Sequence, residues 1–208
     1  MSRWHSLRRA GCIARHCVMK SPSLIVIDMV NDFLQSLEGA ARQRLLRSTN
    51  ELIGIMRSHR RPVIWVRQQF RSDLSDAFLE MRRKAIRVTI EGTPGCEIAA
   101  ELAVDPATDT VLVKKRYSAF HGTTLDKVLA AFATDGLIIA GVNTHACIRT
   151  TAIDAYQRDW EVVVAVDCIE SYDRPHHEIS LRYMKDKIAA LMSNAEIAGM
   201  LGPAATGC

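Results

Sequence analysis

Residues 137–156 read "LIIAGVNTHACIRTTAIDAY". An aliphatic run stops at Gly141, a short turn follows, and from about residue 145 the apolar residues take helical spacing. A strand that ends in a glycine turn and opens into a helix is half of a β-α-β unit. One cysteine, Cys147, stands where the helix begins. Alone it has two readings: a small buried hydrophobe, the usual state of a free cysteine, or a nucleophile presented at a strand end.

The same strand pattern recurs on both sides. The runs "SLIVID" (23–28), "PVIWVR" (62–67), "TVLVK" (110–114) and "EVVVAVD" (161–167) join "LIIAG" (137–141), and "IAALMS" (188–193) is a weaker sixth. The first five are nearly continuous and rich in β-branched residues, as strands covered by helices on both faces are. Helical spacing lies between them, over 41–57, 124–133 and 145–158, and over 175–186, where Pro175 suits a first turn. Strand alternating with helix predicts an α/β domain, a three-layer doubly wound fold around a mostly parallel six-stranded sheet with right-handed crossovers. The segment 68–109 breaks the alternation. It carries "RRK" at 82–84, read as a solvated face, and "EGTPG" at 91–95, and reads as an excursion over the edge of the sheet.

Length and composition agree with one domain. The chain has 208 residues, 48% apolar and 24% charged, enough for a full core. The formal charge of +4 comes from residues 1–20, where Arg3, Arg8, Arg9, Arg15 and Lys20 meet no acid; the rest of the chain is at −1. The expectation is a loose basic leader over 1–20 and a single domain over 21–208. The leader resembles an organelle transit peptide only weakly, and an extension upstream of Met19 is the preferred reading. With the positive charge confined there, no basic face for nucleic acid is expected. No apolar run approaches the roughly 18 residues of a membrane helix. Cys12, Cys17, Cys96, Cys147, Cys168 and Cys208 form no CxxC pair and no zinc spacing, so a reducing, cytoplasmic setting without disulfides is expected.

In a doubly wound sheet, ligands bind beyond the carboxyl ends of the strands. Asp28 ends the first strand, Lys114 ends the third and Cys147 follows the fourth. Each has an ordinary explanation alone: a turn aspartate, a solvated lysine, a buried cysteine. Together they make a chemical set. A thiolate attacks a carbonyl, a carboxylate accepts the thiol proton and later returns it to the leaving amine, and a lysine holds that carboxylate and favours charge separation.

These residues resemble the isochorismatase-like cysteine hydrolases, a group that includes nicotinamidases, carbamoyl-amide hydrolases and isochorismatases. The likeness runs from about residue 23 to 198 and rests on "LIVIDMVNDFL", "VLVKKRYSAFHGTTLDKVL" and "IAGVNTHACIRTTAIDAYQRDWEVVVAVD". It implies Asp28, Lys114 and Cys147 as catalytic residues. It also implies a cis peptide bond between Val142 and Asn143, with the Asn143 and Cys147 backbone N–H groups as an oxyanion hole. Cys147 at a helix start would then feel the helix dipole, which favours thiolate. Family members assemble as dimers or tetramers, so a homo-oligomer is expected.

Two departures bear on substrate. The glutamine common two residues after the aspartate is Val30 here, a packing residue. The Asp-x-His metal cluster of nicotinamidases has no counterpart in "VRQQFRSDLSDAF". No metal and no other cofactor is therefore expected, and nicotinamide becomes a weaker candidate substrate. His145 reads as a turn residue beside the cysteine, and His176 and His177 as a surface feature of a helix start. Phe33, Tyr117 and Phe120 are candidate pocket walls, with ordinary packing as the alternative. Arg67 and Gln68 leave the second strand at the same edge, where a carboxylate or ureido oxygen would meet them, with a solvated loop as the alternative. Loops 68–95 are expected to choose the substrate.

The reading is a hydrolase of the C–N bond of a small amide, ureido or carbamoyl compound through a thioester-type intermediate. The alternative within the family is an isochorismatase-type vinyl-ether hydrolase with Asp28 as acid and no covalent step. An alternative of another class, a receiver-like signalling module, requires a phospho-accepting aspartate where this chain has Lys114.

Overall fold

The computed structural model describes residues 19–185 and 187–203. Residues 1–18 of the leader expected over 1–20 lie outside them, as does Cys208. Met19 and Lys20, read with the leader, already belong to the folded part: Met19 is buried, and the Lys20 and Ser21 N–H groups donate to the Asp135 carboxylate.

Six strands form one sheet: β1 (Pro22–Ile27), β2 (Val63–Gln68), β3 (Thr110–Lys114), β4 (Gly136–Val142), β5 (Glu161–Glu170) and β6 (Ala190–Met192). Their order is β3-β2-β1-β4-β5-β6, and every pairing is parallel. From β1 the chain winds outward through β2 and β3, then returns to β1's other side as β4 and winds outward again. The crevice at the carboxyl ends of β1 and β4 is therefore the topological switch point, where doubly wound sheets bind ligands.

Alternation along each strand divides the core into two layers. Leu24, Val26, Val63, Trp65, Ile138 and Ala140 face α2 (Gly39–Ser58), and α7 (Asn194–Leu201) completes that layer through Ile197. Ile25, Ile27, Ile64, Val66, Leu137 and Ile139 face the other way, towards α4 (Leu125–Ala131), α5 (Arg149–Gln157) and α6 (Arg174–Met184). The helices fall within a few residues of their predicted spans. The sequence reading did not place α1 (Asn31–Leu34), α3 (Leu79–Lys84) or α7. For α7 a signal was present, because Ser193 and Glu196 form a reciprocal capping box.

Two expectations change. "TVLVK" reads as a strand covered on both faces, yet β3 lies at the sheet edge, where Val111 and Val113 are exposed. The helix predicted over 145–158 begins instead as one π-helical turn, Thr144–Ile148, before α5. The excursion after β2 has structure of its own. Phe70, Leu74, Ala77 and Ile90 form a small core with Phe78 and Met81 against it. It is tied back to α1 by Thr89 N–H to Asp32 (2.7 Å) and by the Asn31 side chain to the Pro94 carbonyl (2.8 Å). The "RRK" stretch ends α3 with no buried side chain, as read from the sequence.

Candidate active site

The close approach of β1 and β4 starts from a glycine. Gly141 has φ +119°, and a Cβ there would lie 1.9 Å from the Ile27 carbonyl oxygen. A side chain at this position would separate the two strands that deliver Asp28 and Cys147. Asp28 follows β1 in the left-handed region at φ 56°, which aspartate tolerates better than most residues. Its N–H donates to the Val66 carbonyl (2.8 Å).

Asp28, Lys114 and Cys147 meet. Lys114 Nζ lies 2.7 Å from Asp28 Oδ2, and the ammonium also donates to Cys147 Sγ (3.4 Å) and to the Arg116 carbonyl (3.1 Å). The ammonium thus makes one ion pair and two hydrogen bonds. The second carboxylate oxygen of Asp28 accepts the Gln68 backbone N–H at 2.6 Å. Relative exposures are 1% for Asp28, 0% for Lys114 and 4% for Cys147, so the group is almost entirely out of water.

The electrostatics work against one expectation. Burial pushes the Cys147 thiol far above its ordinary range, and the Asp28 carboxylate pushes it further; Lys114 opposes both and does not prevail. Burial and Asp28 thus favour the neutral thiol, against the thiolate that the helix dipole alone would favour. Burial works against the Lys114 ammonium too, but Asp28 and Cys147 outweigh it and hold Lys114 above the usual lysine value.

The Val142–Asn143 peptide bond is cis. The Asn143 carbonyl then accepts from the Ala146 and Ile148 N–H groups at 3.0 and 3.3 Å, the second with the i→i+5 spacing of a π turn. Cys147 is carried inside that turn. It is clamped from α6: His177 Nδ1 lies 3.0 Å from Thr144 Oγ1, which donates to the Glu170 carbonyl. His177 is 8% exposed, so it is not the surface residue read from the sequence; burial holds its pKa below the usual histidine value. Its neighbour His176 does face solvent, beside Asp173. His145 pairs with Ser171 Oγ at 2.6 Å and meets the Tyr172 ring edge-on at 5.3 Å.

The candidate pocket residues separate. Gln68 is buried at the end of β2, in register with Lys114. Tyr117 is 47% exposed, with its ring 4.9 Å from that of Phe78. Burial raises the pKa of its phenol. The excursion thus packs through Phe78 on Tyr117, three residues after Lys114. Arg67 is committed elsewhere, to the Cys96 carbonyl (3.0 Å) and Glu97 (2.8 Å). Phe33 packs on the α2 layer, and Phe120 lies in the opposite layer with the Arg158 guanidinium 4.6 Å from its ring centre. Val30 is fully buried, as a packing residue should be. Among the described residues, no three His, Cys, Asp or Glu side chains converge as metal ligands would. An open hollow of about 380 Å³ lined by Tyr156, Gln157, Asp159, Trp160 and Glu161 lies where β5 begins, at the opposite end of the sheet.

Comparison with known proteins matches this arrangement. Residues 22–196 fit the model of the isochorismatase domain. A protein of Arabidopsis thaliana named "Probable inactive nicotinamidase At3g16190" is 31% identical over 177 residues, covering 80% of this chain and 89% of that protein. The structure of an isochorismatase family protein from Desulfovibrio vulgaris superposes with a TM-score of 0.79 at 30% identity, over 88% of this chain and 100% of that one. That of N-carbamoylsarcosine amidase from Thermoplasma acidophilum does so with a TM-score of 0.70 at 28% identity, over 84% and 96%. The six-stranded doubly wound fold and the match across residues 22–196 agree, and the chain belongs to the isochorismatase family of hydrolases.

Proposed function

We propose that this chain hydrolyses the C–N bond of a small amide, ureido or carbamoyl compound, with Cys147 as nucleophile. The observation that supports it most is the buried Lys114 ammonium held between Asp28 Oδ2 and Cys147 Sγ. A neutral thiol next to a carboxylate is suited to attack coupled with proton transfer. Asp28 takes the thiol proton as the Sγ–carbon bond forms. The carbonyl oxygen becomes an oxyanion, for which the Asn143 and Cys147 backbone N–H groups are the proposed donors. Asp28 then returns the proton to the leaving nitrogen, the C–N bond breaks, and ammonia or an amine departs from a thioester. Water, deprotonated by Asp28, attacks the thioester and regenerates the thiol with release of the acid. Lys114 stays charged throughout and balances Asp28 whenever that carboxylate is ionised.

Amide chemistry is also what one structural neighbour's name describes, N-carbamoylsarcosine amidase. An ammonia-release screen over ureido acids, carbamoyl acids, nicotinamide and simple amides tests the reading, with alkylated enzyme as control. Release that alkylation abolishes is the expected result. Hydrolysis of isochorismate that survives alkylation would select the vinyl-ether reaction instead. We further propose that the protein works as a homo-oligomer on a small molecule in a reducing compartment. Analytical ultracentrifugation tests the first point, and a monomer at working concentration would remove it.

A further inference from the structure

We propose that the side chains of Gln68 and Asn143 read the amide plane of the substrate, Gln68 Nε2 donating to a substrate oxygen and Asn143 Oδ1 accepting from a substrate N–H. Both residues are buried, and neither atom has a hydrogen-bond partner among the described residues. A buried polar atom without a partner requires a reason, and a bound ligand is one. Of the other such atoms, the hydroxyls of Thr49 in α2 and Ser180 in α6 lie within the helical layers and that of Thr89 in the excursion, Asp28 Oδ2 is ion-paired with Lys114, and Arg67 is held by Cys96 and Glu97 through its neighbouring nitrogen. Gln68 and Asn143 lie at the switch point. The sheet order puts β2 and β4 on either side of β1, so Gln68 and Asn143 flank Asp28, about 10 Å apart at two strand spacings. Gln68 is in register with Lys114 and has the strand parity of Ile64 and Val66, which face the layer holding Cys147. Asn143 begins the turn that carries Cys147.

Both residues are also fixed through their backbones. The Gln68 N–H is bound to Asp28, and the Asn143 carbonyl to Ala146 and Ile148. Gln68 Nε2, reaching in from β2, would add a donor to the Asn143 and Cys147 backbone N–H groups at the carbonyl oxygen, and Asn143 Oδ1 would take the N–H, so the set matches the C=O and N–H of an amide. The corresponding ester puts oxygen in place of N–H, so Asn143 Oδ1 would face a lone pair and lose its only gain from binding. Sites built on buried hydrogen-bonding groups reject analogues that leave those groups unpaired. The pair would thus select amides over esters. This deepens the proposed hydrolase reading and rests on Cys147 being the reacting group.

Labelling of Cys147 tests it without turnover. Three iodides are compared by peptide mass spectrometry: iodoacetamide, methyl iodoacetate with the same carbonyl but no N–H, and allyl iodide with no carbonyl. In each, the sulfur displaces iodide, an S–C bond replaces the C–I bond, and the thiol proton leaves. In Asn143→Leu the preference for iodoacetamide over methyl iodoacetate should fall about fivefold, the worth of one hydrogen bond. In Asn143→Asp, which keeps the acceptor, that preference should persist. In Gln68→Leu both carbonyl reagents should slow about fivefold relative to allyl iodide. The ratios cancel any change in thiol reactivity, and thermal melts confirm that the variants fold. Ratios within about twofold of wild type in both Leu variants would overturn the proposal. So would a folded wild type in which none of the three reagents reaches Cys147. A failure to hydrolyse any C–N substrate would instead count against the hydrolase reading and leave these ratios to stand or fall by themselves.

Discussion

Lys114 Nζ lies 2.7 Å from Asp28 Oδ2 with neither side chain exposed to solvent. Removing one member of a buried ion pair strands the other, at a cost of about 3–5 kcal/mol, whereas removing both together often costs far less. Lys114→Met should therefore destabilise the fold by about that amount, and Lys114→Met combined with Asp28→Asn should recover a large part of it. Urea unfolding of the single and double variants measures the difference. Equal losses would mean that the two charges are not coupled.

The thiol makes a prediction at alkaline pH. The folded pKa of Cys147 is raised above its unfolded value, so the stability linked to that proton is complete below the unfolded pKa of about 9. It is lost as pH rises from there towards the folded value, because the unfolded chain releases a proton that the folded chain retains. Between about pH 8 and 10.5, wild type should lose more unfolding free energy than Cys147→Ser. Cys168, raised to about 12, pulls the same way but is present in both proteins and cancels; Lys114 is held up partly by Cys147 itself, so its share of the alkaline loss adds to the difference. Parallel pH curves would show that Cys147 is already ionised in the folded protein.

His177 makes the opposite prediction at acid pH. Its folded pKa is depressed, first by burial, so its stability contribution is present above the unfolded value of 6.5 and is lost as pH falls through the folded one. Wild type should lose more thermal stability between about pH 7 and 5 than His177→Gln, in which this linkage is absent. The contact with Thr144 adds a functional consequence. Loosening the π turn should lower turnover more than it lowers melting temperature, and Thr144→Val should share that signature. Unchanged activity in both variants would make the clamp purely structural.

Gly141 is the position where the backbone tolerates least. Gly141→Ala places a Cβ at φ +119° and 1.9 Å from the Ile27 carbonyl, and should cost more than about 4 kcal/mol or prevent folding. Gly54 in α2 has open space around it, and Gly54→Ala should stabilise by about 0.5–1 kcal/mol through helix propensity. Thermal melts of the two variants should move in opposite directions; a shift of the same sign for both would contradict the local geometry.

How far the sequence could be read follows from where each signal resides. β1, β2, β4 and β5 were legible because strands buried on both faces need continuous apolar runs, and that need is written locally. The edge position of β3 was not, since Val111 and Val113 look the same whether or not a helix covers them. The convergence of Asp28, Lys114 and Cys147 was legible because each ends or follows a different strand of a parallel sheet, where all carboxyl ends share one edge. Their ionisation was not, because a thiol's charge depends on burial and on distances that sequence spacing does not supply. His177 was misread as surface, although Pro175, Ser180 and Met184 mark the helix that turns it inward. The π turn depends on one carbonyl, Asn143, accepting from both Ala146 and Ile148, and no residue pattern announces it.

The central claim is covalent hydrolysis by Cys147, and the turnover of Cys147→Ala tests it most directly. On whichever amide, ureido or carbamoyl compound the wild type hydrolyses best, the folded Cys147→Ala protein should lose product release by about a thousandfold or more, as expected when a nucleophile is removed. Retention of wild-type turnover by that variant would contradict the account and leave Asp28 and Lys114 to act without a thiol.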